Sequence, residues 1–204
     1  MTDTAFGFIH RFVPGTEAGT PPLLLLHGTG GDETDLLSLG RSLGPGAALL
    51  APRGPVLENG MPRFFRRLAD GVFDEADIRR RAADLADFVA TARAAYGLAA
   101  PVAVGFSNGA NIAAALLLLH PDVLAGAVLL RPMLPLTASA PDDLAGRPVL
   151  MLSGAADPIV PAANAAALAQ RLRDGGARVS HETLPTGHGL SQADVARASA
   201  WLAE

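Results

Sequence analysis

The apolar run Val102-Ala103-Val104 leads into Gly105-Phe106-Ser107-Asn108-Gly109, and a helix-forming segment, residues 108–120, leaves it toward Pro121. A strand, a G-x-S-x-G turn and a helix together hold a serine on a sharp, strained corner with its hydroxyl outward. The glycines have a steric reason: a side chain two residues before or after the serine would clash. The turn places the Ser107 hydroxyl at the helix N-terminus, where partial positive charge favours a developing anion. The pentapeptide alone arises often by chance in a chain rich in glycine and alanine. Its flanks distinguish it from an ordinary tight turn.

Outward from this corner, the same alternation recurs. Residues 23–26, 47–51, 102–106, 125–130 and 149–152 are continuous apolar runs, as expected of strands covered on both faces. Residues 6–13 read as an outer strand and 178–184 as a last one. Between them lie helical stretches: 77–96 ending at Gly97, 108–120, 161–173 beginning at Pro161 and ending at Gly175-Gly176, and 190–202. Strands alternating with helices predict parallel β-α-β units, hence an open α/β sheet with helices on both faces. No composition break or internal repeat divides residues 1–204, so a single domain is expected. Residues 53–74, rich in Pro, Gly, Arg and Phe, fit neither category. Long connections of this kind lie beyond the carboxyl ends of strands, which marks the segment as a lid or a pocket wall.

Composition narrows the chemistry. The chain has 204 residues, 50% hydrophobic and 18% charged, with a formal charge of −4. These values describe a globular protein and give no basic surface for nucleic acid. Cysteine is absent, which excludes disulfides, thiolate metal sites and a thiol nucleophile. All 16 basic residues are arginine, so a P-loop lysine, a pyridoxal Schiff base and a Ser–Lys dyad are excluded as well. Residues 1–12 lack the pattern of a signal peptide, and the longest apolar stretch, 112–119, is far short of the ~20 residues of a membrane span. A soluble, cytoplasmic protein is the expectation.

A serine hydroxyl needs a base and an orienting acid. Downstream of Ser107, the run 148–152 ends in Ser153-Gly154-Ala155-Ala156-Asp157-Pro158. After the last strand comes Pro185-Thr186-Gly187-His188-Gly189. The chain order serine, acid, histidine and the position of each just past a strand fit the elbow. Taken singly, an Asp before Pro is often only a turn former, and a His between glycines is often an exposed loop residue. Three agreeing placements favour the triad Ser107, Asp157 and His188.

The loop His27-Gly28-Thr29-Gly30-Gly31-Asp32 fails as a dinucleotide fingerprint, because the sixth place from Gly28 is Glu33. It works as an oxyanion loop, with the N–H of Thr29 paired with that of Asn108 and His27 bracing it. Asp32 and Asp35 read as caps of a following helix rather than metal ligands. Neither a metal nor a cofactor is expected.

These residues resemble the phospholipase/carboxylesterase family of α/β-hydrolases, the group that includes acyl-protein thioesterases. The likeness rests on Leu26 to Asp32, Gly105 to Gly109, Gly154-Ala155-Ala156-Asp157-Pro158-Ile159-Val160-Pro161 and Gly187-His188, which span most of the chain. Asn59-Gly60-Met61-Pro62-Arg63-Phe64-Phe65 further resembles a bacterial carboxylesterase branch. The resemblance implies an α/β-hydrolase fold without a large cap, cofactor-free hydrolysis of small or medium carboxylic esters, and often a homodimer. It assigns Ser107 as nucleophile, Asp157 and His188 as its partners, and the Thr29 and Asn108 amides as oxyanion donors.

Two departures stand out. Family members often carry Gln after the serine, where this chain has Asn108, and a Ser-Gly step where it has Leu130-Arg131-Pro132-Met133. Arg131 either attracts an anionic acyl group or pairs with a carboxylate. Phe64, Phe65, Leu68 and Phe73 either line an acyl or aryl pocket, with Arg63, Arg66 and Arg67 at its rim, or tether the connection to the core. Competing functions are an acyl-protein or acyl-CoA thioesterase or lysophospholipase with the same triad, and a non-enzymatic ligand-binding member of the fold.

Overall fold

Leu23, Leu24, Leu25 and Leu26 are all buried, and they divide by parity. Leu24 and Leu26 pack into one hydrophobic core and Leu23 and Leu25 into another. Successive side chains of a strand point to opposite faces, so a sheet covered on both sides demands this uninterrupted run.

The computed structural model describes residues 5–69, 71–137 and 143–204. Of the segments discussed above, Met1 to Thr4 and Asp70 lie outside the described residues. Seven strands form one sheet, in spatial order β1 (His10–Val13), β3 (Leu49–Pro52), β2 (Leu23–Leu26), β8 (Val102–Phe106), β9 (Gly126–Leu130), β10 (Pro148–Gly154) and β11 (Arg178–Leu184). Only β1 runs antiparallel to its neighbour; the other pairs are parallel. Helices α2 (Glu75–Tyr96), α3 (Asn108–Leu119) and α4 (Ala162–Asp174) supply one core. Helices α1 (Leu37–Leu43) and α5 (Gln192–Leu202) contribute to the other. The α/β-hydrolase architecture expected from sequence is therefore present, with a mostly parallel sheet between two helical layers. No helix among the described residues is long and apolar enough to cross a membrane.

Local chemistry accounts for the boundaries. Asp74 caps α2 by accepting from Asp77 N–H at 3.0 Å, and Gly97 closes the helix in the left-handed region. Helix α3 is buried almost all round and threads the core, as its lack of a polar face requires.

Three expectations change. The outer strand is shorter than 6–13: residues Ala5–Gly7 form a 3₁₀ turn in which Phe6 and Gly7 have φ of 70° and 81°, so extended backbone begins only at His10. Neither Asp32 nor Asp35 caps α1, which starts at Leu37 after Leu36 and without a side-chain cap. The Oδ1 of Asp32 instead accepts from the N–H and hydroxyl of Thr34 at 2.7 and 2.6 Å, closing a turn. Residues 53–74 carry regular structure: hairpin β4 (Val56–Glu58)–β5 (Met61–Arg63) and the pair β6 (Arg67–Ala69)–β7 (Val72–Phe73). Asn59 and Gly60 both have positive φ, 52° and 80°, the two-residue turn that an Asn-Gly pair favours.

Helix α3 crosses the end of β2 at a glycine. A Cβ at Gly109 would collide with the Leu26 carbonyl, and backbone cannot yield as a flexible side chain can. Gly109→Ala should cost about 3 kcal/mol of folding stability, the upper range for overpacking, read as a lowered urea midpoint. An unchanged midpoint would refute this account of the glycine.

Candidate active site

Ser107 joins β8 to α3 with φ 52° and ψ −113°. A non-glycine residue held there carries roughly 1–3 kcal/mol of strain. The surroundings fix it: the Ser107 N–H donates to Leu130 O at 2.8 Å, and Ser107 O accepts from Asn111 N–H at 3.0 Å. A Cβ on Gly105 would stand 2.6 Å from Gly109 O and 2.7 Å from Ala110 Cα, so only glycine lets the helix start this close to the strand.

His188 and Asp157 come from loops beyond the carboxyl ends of β11 and β10. His188 Nε2 lies 3.0 Å from Ser107 Oγ, and its Nδ1–H donates to Asp157 Oδ2 at 2.8 Å. The second carboxylate oxygen of Asp157 accepts from the N–H groups of Ile159 and Val160, at 2.8 and 3.1 Å. Burial alone would raise the Asp157 carboxyl. The Ile159 N–H, His188 and the Val160 N–H outweigh it and hold the group below the usual carboxylate range. The acid is thus kept ionised, and one of its oxygens is reserved for the imidazole. A hydroxyl in such a chain can pass its proton to the ring nitrogen as it attacks.

On the other side of Ser107, the loop after β2 brings Thr29 to the same cleft as Asn108. His27 braces that loop: its Nδ1–H donates to Gly28 O at 2.7 Å and its Nε2 accepts from Gly54 N–H at 2.9 Å. These partners require a neutral ring, and burial lowers its pKa accordingly. Residues 61–65 tie the loop to the elbow. Gly30 N–H donates to Pro62 O at 3.0 Å, Arg63 Nη1 to Thr29 Oγ1 at 2.9 Å, and Phe64 N–H to Asn108 Oδ1 at 2.8 Å. This part of the connection is a wall fastened to both Thr29 and Asn108.

The cleft holds about 280 Å³. Ser107, His188, Thr29 and Asn108 line it together with Phe73, Phe106, Met133 and Ile159, and Arg63 and Arg67 form part of its wall. Of the four apolar residues expected there, Phe64, Phe65, Leu68 and Phe73, only Phe73 lines it. Phe64 and Phe65 are 1% and 0% exposed and belong to the core, tethering the connection. Leu68, in β6, is 68% exposed.

Arg131 is fully buried and lies outside the cleft lining. Its Nη1 and Nη2 donate to Asp194 Oδ1 and Oδ2 at 2.7 and 2.9 Å, so the carboxylate pairing is the arrangement present and the anion-attracting role is not available to it. Sequence reasoning missed Phe106, Asn111, Met133 and Ile159 as lining residues. Asn111 had a signal, because one helical turn beyond Ser107 faces the same way. Met133 and Ile159 follow strand ends at the carboxyl edge of the sheet, where ligands bind in such folds. The remaining histidines have structural partners: His10 bonds Phe8 O and Tyr96 Oη, His181 bonds Ser153 Oγ, and His120 ends α3.

Asp194 behaves like Asp157. Burial would raise it, but the Arg131 guanidinium and the hydroxyl and N–H of Ser191 hold it below the usual range. Both carboxyls titrate lower when folded than the ~3.9 of an unfolded Asp. Their stabilisation is therefore fully present above that value and disappears as pH falls through the depressed folded values. Acidification from about pH 6 to 3 should lower the urea midpoint of the wild type, and by a smaller amount in Asp157→Asn. An equal fall in both would contradict the assigned shift.

A profile of the phospholipase/carboxylesterase family matches residues 10–204. The chain is 47% identical over 197 residues to the hydrolase MhqD of Bacillus subtilis (strain 168), covering 96% of this chain and 98% of the relative. The crystal structure of the Bacillus cereus carboxylesterase superposes with a TM-score of 0.95 at 42% identity, over 98% of this chain and 95% of that one. A carboxylesterase from Mesorhizobium loti gives a TM-score of 0.94 at 36% identity, over 100% of this chain and 98% of that one. With this fold, and a family match over almost its full length, the chain belongs to the phospholipase/carboxylesterase family of α/β-hydrolases.

Proposed function

We propose that the protein is a serine carboxylesterase acting on small or medium carboxylic esters through an acyl-enzyme on Ser107. The observation that carries this reading is the unbroken hydrogen-bonded chain from Ser107 Oγ through His188 to Asp157 Oδ2, at 3.0 and 2.8 Å, opening on a cleft. His188 Nε2 accepts the hydroxyl proton as Oγ bonds to the ester carbon. Asp157 holds Nδ1–H in place and stabilises the imidazolium. The Thr29 and Asn108 amides stabilise the tetrahedral oxyanion. As first residue of α3, Asn108 has an N–H with no intrahelical acceptor. Collapse of the intermediate breaks the bond to the alcohol, which leaves with the proton from His188. Water then attacks the acyl-enzyme with His188 again as base, and the acid departs.

The size of the cleft favours short esters over long acyl chains. At about 280 Å³ it lies at the lower edge of the usual ~300–1,000 Å³ range for ligand pockets. Its apolar walls, Phe73, Phe106, Met133 and Ile159, suit a compact acyl or aryl group. A thioesterase or lysophospholipase taking a long acyl chain would need a longer groove.

The p-nitrophenyl esters from acetate to palmitate, assayed beside an acyl-CoA panel, test both parts. Turnover should peak at the short esters and fall by at least about 10⁴-fold in Ser107→Ala. Activity or phosphonate labelling that survives in Ser107→Ala would overturn the nucleophile. An optimum at palmitate would overturn the substrate class.

A further inference from the structure

Arg131 follows β9 in the left-handed region, with φ 56°, an unfavourable place for a side chain with a Cβ. Its own N–H donates to Leu152 O at 2.8 Å, which aims the side chain between the carboxyl ends of β10 and β11. The guanidinium is completely buried, and all three of its nitrogens are engaged. Nε donates to Gly187 O at 2.9 Å, and Nη2 to Thr186 Oγ1 at 2.8 Å and Gly189 O at 3.2 Å. These partners flank His188 on both sides.

Asp194 orients the guanidinium from behind. Its two oxygens take Nη1 and Nη2 side by side, the fork geometry that Lys cannot reproduce. Asp194 is itself fixed in the first turn of α5, where its Oδ2 accepts from the N–H and hydroxyl of Ser191 at 2.8 and 2.7 Å. The histidine loop has further supports: Thr186 N–H donates to Leu184 O at 2.8 Å, and the Phe106 and His188 ring centroids lie 5.4 Å apart. Gly187 can approach the sheet because Gly154 lacks a Cβ, which would stand 2.4 Å from Gly187 O, and Ala156 N–H donates to Thr186 O at 3.0 Å. A complete chain of directed bonds therefore runs from the start of α5 through Asp194 and Arg131 to the residues on either side of His188.

We propose that Arg131, oriented by Asp194, is the positioning residue for His188: it clamps Thr186, Gly187 and Gly189 and so sets the imidazole between Ser107 and Asp157. This rests on the reading of His188 as the base. The requirement is for a planar donor array spanning three acceptors, not for a positive charge opposite Asp194. An error of an ångström in the reach of a base is worth roughly 100-fold in rate.

Two variants separate that span from simple stability, with p-nitrophenyl acetate as the substrate. Arg131→Lys keeps the charge opposite Asp194 and loses the span. Arg131→Met/Asp194→Asn removes both charges, so no unpaired ion is left buried. Each should keep a cooperative unfolding transition and a KM within a few-fold of wild type, while kcat falls about 10- to 100-fold. Wild-type kcat in a folded Arg131→Lys or double variant would overturn the proposal, as would a loss confined to KM. His188→Ala, run alongside, keeps the two readings apart. If it retains turnover, the assignment of the base fails. If it is inactive while the Arg131 variants turn over normally, only the positioning role fails.

Discussion

A strained serine corner at the middle of the sheet governs the rest of the molecule. β8 lies between β2 and β9, and α3 leaves its end so abruptly that Ser107 has positive φ and Gly105 and Gly109 admit no Cβ. Gly109 rests against the end of β2 and the Ser107 N–H against the end of β9. The corner thus locks three central strands at the edge from which the loops carrying Thr29, Asp157 and His188 emerge. The conformation is unfavourable in isolation and survives because α3 is buried on nearly every side.

Two braces extend that rigidity outward. On one side, residues 61–65 fasten Thr29 and Asn108 together through Pro62 O, the Arg63 guanidinium and the Phe64 N–H. On the other, Arg131 holds the residues that flank His188 and passes the load to Asp194 and α5. Electrostatic preorganisation depends on donors and bases that need not move during reaction. Each brace contains a buried arginine that would serve the proposed mechanism in this way, and each arginine has a carboxylate nearby, Glu58 at 3.5 Å for Arg63 and Asp194 for Arg131.

Much of this was legible in the residues. The parallel strands showed as unbroken apolar runs because both faces of the sheet are covered, and β11 was bounded correctly at 178 and 184. Ser107, Asp157 and His188 stood out because each follows a strand end, in an order one fold accommodates. The hairpin β4–β5 was missed although Asn59-Gly60 announces it, because its three-residue strands are too short to show a period. The apolar cluster Phe64, Phe65, Leu68 and Phe73 misled for a related reason. Clustering along the chain carried no information on direction, and Phe64 and Phe65 turn into the core while Leu68 turns to solvent.

The sequence by itself determined the alternation of elements, the serine corner and the identity of the groups beyond the strand ends. Those depend on local sterics, periodicity and turn chemistry, which a few neighbouring residues specify. Only the tertiary structure decided the shape of the cleft and the use of Arg131. Its partners lie at positions 152, 186, 187, 189 and 194, reached through two strand crossings, and no local pattern encodes such contacts. A guanidinium that satisfies backbone carbonyls and one that awaits an anionic substrate look alike in a sequence. Burial and the direction of its five N–H groups distinguish them, and both are properties of the assembled fold.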